Sequence, residues 1–85
     1  MKTNKVLRKQ IFEIIKNQIE LNNPPETRQN FDRLKGMGFS DLDTKKLIGQ
    51  CVAVELFHVF KHQQPFDEKR YVSNLNKLPE EPFDD

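Results

Sequence analysis

Apolar residues recur along this chain at helical spacing, in four blocks punctuated by proline and glycine. In the first block Leu7, Ile11, Ile14, Ile15 and Ile19 fall on one broad face, and steps of three and four mark an amphipathic helix. Lys5, Lys9, Glu13, Lys16 and Glu20 take the opposite face, where Lys9 with Glu13 and Lys16 with Glu20 partly neutralise each other across one turn. A helix is predicted from about Asn4 to Leu21. The second block opens on NNPPETRQ: Asn23 is expected to cap, Pro24 to take the first helical position, and Glu26 to close a capping box with Asn23. Its helix is predicted to run to about Lys35, burying Phe31 and Leu34 with Thr27 and Pro24 in line. Gly36 and Gly38, either side of Met37, should end it, because glycine enters the left-handed region at little cost. Phe39 follows as an apolar anchor.

The third block departs from this pattern. From Asp43 to His62 the chain reads DTKKLIGQCVAVELFHVFKH, apolar nearly all round, which marks a buried helix. Ser40 and Asp43 supply its capping box. Within the apolar coat runs a polar seam, since Cys51, Glu55, His58 and His62 fall within about 60° of one another on a helical wheel. Gly49 interrupts neither pattern nor phase, so close helix packing explains it better than a kink. Pro65 should stop this helix. A last helix is expected from about Asp67 to Leu78, with Tyr71, Val72, Leu75 and Leu78 on one face. No stretch alternates like a strand. The reading is an all-α fold: one domain over residues 1–79, a compact bundle of four helices with the third and most apolar at its centre. A flexible acidic tail is expected over residues 80–85.

Composition narrows the function classes. The chain has 85 residues, 14 Lys and Arg against 13 Asp and Glu, and a formal net charge of +1, a balance that favours neither a polyanion partner nor a membrane surface. Its single cysteine, Cys51, allows no intrachain disulfide and suits a reducing, cytoplasmic setting. No apolar run is long enough to span a bilayer, and charged residues break up any signal-peptide core near the start. The glycines form no nucleotide-binding loop, no serine lies in a nucleophile elbow, and no nucleophile is paired with a base and an orienting acid. An enzyme is not expected. The short glycine-containing turn before the third helix suits a helix-turn-helix, but Lys45 and Lys46 stand beside Asp41 and Asp43, and the remainder is core, so DNA binding is not expected.

One constellation could carry chemistry. Glu55 and His58 are three apart and His58 and His62 four apart, spacings that bring ligand atoms near a common point in diiron and zinc sites. A metal site at Glu55, His58 and His62, holding zinc or iron, is therefore the alternative reading, although helix one offers no further carboxylate on its apolar face. The structural reading, which carries more weight, makes Glu55 and His58 a buried polar network with Arg28, Arg70, Tyr71 or the free amides of the second helix start as partners. His62 would then be a solvated residue at the helix end, and no cofactor is expected.

Two resemblances remain. Met37, Gly38 and Phe39, with Leu34 before them, resemble the loop of the ubiquitin-associated domain that forms part of its ubiquitin-binding surface, which would imply a ubiquitin-type binding module. The likeness lapses afterwards, where that domain has a second loop before its third helix. Over about two-thirds of the chain, NPPETR (Asn23 to Arg28), RLKGMGFS (Arg33 to Ser40), LIG (Leu47 to Gly49), ELF (Glu55 to Phe57) and PFDEKRYVSNLNKLP (Pro65 to Pro79) resemble a family of small bacterial proteins of unknown function. That resemblance implies a bacterial cytosolic origin and a helical fold, and supplies no activity or site residues; His58 and His62 are not in its pattern. The leading expectation is a non-enzymatic protein-interaction module, acting on a protein partner or on a second copy of itself. So apolar a third helix leaves surface that few neighbours can cover.

Overall fold

Four helices in sequence make the fold: α1 (Lys2–Leu21), α2 (Pro25–Gly36), α3 (Asp41–His62) and α4 (Glu68–Lys77). The computed structural model describes residues 2–81, and the side chains of residues 7–81. The tail predicted over 80–85 thus lies outside the described residues from Pro82 onward, as do the side chains of Lys2 and Lys5. No strand occurs among the described residues.

The junctions follow local backbone chemistry. α1 ends in a Schellman motif: Asn22 takes φ 52°, its N–H donates to Ile19 O at 3.2 Å, and Asn23 N–H donates to Gln18 O at 3.0 Å. That closure corrects the expected capping box at Asn23. The backbone of Asn23 is committed to finishing α1, so α2 starts one residue later, with Pro24 at the cap position and no side chain accepting there. α2 ends as expected at the glycines, with Gly38 at φ 104°. Ser40 Oγ then accepts from Asp43 N–H at 3.0 Å and starts α3, while Lys35 pairs with Asp41 across the turn. The lysine hydrogen bond holds the exposed Asp41 carboxyl below its usual range. α3 stops at Gln63, left-handed at φ 52°, two residues ahead of Pro65. Asp67 caps α4 by accepting from Arg70 N–H at 3.1 Å.

Each helix contributes to one core. Ile11 and Ile15 come from α1, Leu34 from α2, Ile48, Cys51 and Val52 from α3, and Tyr71 and Leu75 from α4, with Leu78 just beyond it. α1 runs antiparallel to α3, and the two approach closely at Gly49, where an added Cβ would stand 3.2 Å from Ile11 Cγ2. That contact gives the glycine its reason, and α3 continues unbroken through it.

The expectation of a single central rod is only partly met. α2 and α3 each pack against all three other helices, so the centre is shared. Nor is α3 buried all round, for Leu42, Phe57 and Phe60 are exposed. Length explains the exposure of Phe57 and Phe60: α3 has 22 residues and α4 only 10, about 33 Å against about 15 Å at the usual helical rise. The last turns of α3 therefore extend past the cover available to them.

Candidate functional site

The polar seam of α3 divides three ways. Glu55, fully buried, faces α4. Its Oε2 accepts from Arg70 Nε at 2.6 Å, and its Oε1 accepts from Arg70 Nη2 and from Asp67 N–H, each at 2.9 Å. A guanidinium fork and a helix-start amide together satisfy the carboxylate and fix the loop between α3 and α4. Cys51, one turn earlier, is also fully buried, its Sγ lying 4.0 Å from Leu47 O. Burial pushes its thiol up to about 12, which disfavours the nucleophilic thiolate near neutral pH.

The rings of His58 and His62 lie tilted at 32° with centroids 5.2 Å apart, and each makes a T-shaped contact with Phe57, at 5.7 and 6.3 Å. The three predicted metal ligands share a helical face. Both oxygens of Glu55 are engaged by Arg70, and among the described residues no three His, Cys, Asp or Glu side chains are placed to hold a metal ion.

Of the other expected partners of Glu55, Tyr71 belongs to a different network and Arg28 lies exposed on α2. The Tyr71 hydroxyl donates to Gln18 Oε1 at 2.7 Å, and Thr27 Oγ1 donates to the same oxygen at 2.7 Å. These contacts tie α1, α2 and α4 at one point. Burial pushes the Tyr71 hydroxyl up to about 12, against the opposing effect of its Thr27 and Gln18 hydrogen bonds. A second network joins α2 to α4. Asn30 Nδ2 donates to Asn76 Oδ1 at 3.0 Å, Arg33 Nε donates to Asn30 Oδ1 at 2.9 Å, and Arg33 Nη2 donates to Leu75 O at 3.2 Å. The signal for these was present, since Thr27 stands three residues before Asn30 and Asn30 four before the buried Leu34. Polar residues inside an apolar stripe require buried partners.

The turn that resembles the ubiquitin-associated loop presents Met37 to solvent, where Arg33 Nη1 lies 3.6 Å from its sulfur. Phe39 packs against the core.

What remains open is a face shared by α1 and α3. Leu7, Phe57 and Phe60 are 39%, 46% and 75% exposed. Two adjoining depressions share Leu7 and Ala53 and so form one groove. Its upper part is lined by Leu56, Phe57, Phe60 and Lys61, and its lower part by Arg8, Ile11, Phe12, Lys46, Gly49 and Gln50. The cations lie over the aromatic rings: Arg8 is 5.8 Å from the centroid of Phe12, and Lys61 is 5.0 Å from that of Phe57. No helix among the described residues is long and apolar enough to cross a membrane. No protein-family model, curated protein or solved structure matches the chain.

Proposed function

We propose that this chain is a non-enzymatic protein-interaction module working through the α1–α3 face in the cytoplasm. The observation that carries the reading is the exposure of Phe60 and Phe57 beside Leu7 in one continuous groove. A domain this small gains stability from every apolar side chain it covers, so aromatic rings gathered in a groove and left open are the mark of a surface kept for contact. The polar chemistry elsewhere is consumed internally: Glu55 by Arg70, and Tyr71 by Gln18. The test is site-specific photo-cross-linking in cells, with benzoylphenylalanine at Phe60 or at Gln29, an exposed position on α2. The expected result is a discrete adduct from position 60 and none from position 29. Equal adducts from both positions, or none from position 60, would overturn the reading.

A further inference from the structure

The geometry points to the occupant of this face: an amphipathic helix with an apolar stripe and acidic flanks, supplied by another protein. The inference rests on the interaction-module reading and narrows it. Among the described residues every charged side chain lining the groove is a cation, with Arg8 on the α1 side and Lys46 and Lys61 on α3. No acidic side chain among the described residues lines either part, although the chain carries 13 Asp and Glu against 14 Lys and Arg. The cations stand at both ends of the groove, and Arg8 and Lys61 also stack on rings that line it. An apolar occupant would therefore seat beside cations that only acidic flanks can match.

The same charges argue against a second copy. Two of these faces brought together about a twofold axis would bring the cations of one copy, Arg8, Lys46 and Lys61, up to a face whose lining charges are also cations, and like-charge juxtaposition is strongly unfavourable at an interface. The groove also sets the size of the occupant. From Lys46 to Phe60 α3 advances 14 residues, about 21 Å, which a helix of about four turns would match. A ridge on such a helix could approach the backbone of α3 at Ala53, where the floor carries little side chain.

The experiment titrates the full chain against fluorescein-labelled amphipathic peptides of about four turns. One carries a Leu stripe with Glu flanks, a second the same stripe with Lys flanks, and a third Glu flanks with the stripe scrambled. Anisotropy should show the first binding at least tenfold more tightly than the other two, and more weakly as salt is raised. Phe60→Ser should weaken it at least fivefold, and Lys46→Glu with Lys61→Glu should abolish the preference for Glu flanks. Phe60, Lys46 and Lys61 are all exposed, so these variants keep the fold, which circular dichroism checks. Equal binding of Glu- and Lys-flanked peptides would overturn the charge assignment and leave the interaction module standing. No binding, with light scattering showing a dimer that Phe60→Ser dissociates, would assign the face to a second copy and overturn the inference. No binding by a monomer would also overturn it, and the cross-link from position 60 would then decide the module reading separately.

Discussion

Replacing Arg70 by methionine isolates the most consequential polar contact in the protein. Arg70 donates to Glu55 twice, at 2.6 and 2.9 Å, and Asp67 N–H donates to it as well. The Glu55 side chain has no exposed surface, and that of Arg70 is 16% exposed. Methionine keeps the length of the stem but leaves the carboxylate buried beside a single amide. Breaking a buried pair by removing one partner costs about 3–5 kcal/mol. At about 0.05–0.15 kcal/mol per residue, a chain of this length has a total stability on the order of 4–13 kcal/mol. Arg70→Met should therefore remove about a quarter of it or more. Urea unfolding followed by ellipticity at 222 nm should show a large fall in midpoint with the slope unchanged. The paired change Glu55→Leu with Arg70→Met should recover much of the loss, because the uncompensated charge goes with it. The coupling energy from the double-mutant cycle should then be at least about 2 kcal/mol. Additive single effects, each below about 1 kcal/mol, would refute the reasoning and show that water reaches Glu55 in solution.

Three further outcomes follow from the buried groups and the histidine pair. Tyr71 is the only tyrosine and the chain has no tryptophan, so absorbance at 295 nm reports its ionisation alone. With its hydroxyl raised from 10.0 to about 12, the stability it protects is complete below pH 10 and is lost as pH rises from 10 to 12, about 3 kcal/mol in all; a midpoint near 10 with the helical signal intact would contradict this. Thr44 is fully buried, and its Oγ1 has no hydrogen-bond partner among the described residues, so Thr44→Val should stabilise the fold by about 1 kcal/mol in thermal unfolding, and a loss of stability would reveal a partner for that hydroxyl. Since both oxygens of Glu55 are engaged by Arg70, zinc or iron(II) at about tenfold molar excess should leave the melting temperature unchanged, and a rise that His58→Ala abolishes would restore the metal site.

The cation-lined groove could not be read from any one helix. Each of its two walls is ordinary alone: Leu7 and Ile11 belong to the apolar face of α1, and Phe57 and Phe60 belong to the apolar coat of α3. Only the antiparallel pairing of α1 with α3 brings Leu7 beside Ala53 and Phe60, and the same pairing brings Arg8, Lys46 and Lys61 to one surface. The seam of α3 shows the same division. Its members follow from helical spacing, whereas their partners depend on the loop that returns α4 to place Arg70, and not Tyr71 or Arg28, against Glu55.

Spacing and punctuation alone determined the number, order and approximate limits of the helices, because helical periodicity, the Ser40 and Asp67 caps and the glycines after α2 act over a few residues of backbone. The start of α2 failed on the same scale, where two neighbouring motifs competed for Asn23 and the end of α1 took it. The sharing of the core between α2 and α3, the choice of buried partners and the face left open were decided by tertiary structure. Those depend on how far a helix of 22 residues outreaches one of 10, and on which side chains from distant parts of the chain arrive within hydrogen-bonding distance. A periodic pattern reports which face of a helix is apolar, and only packing decides whether that face finds cover.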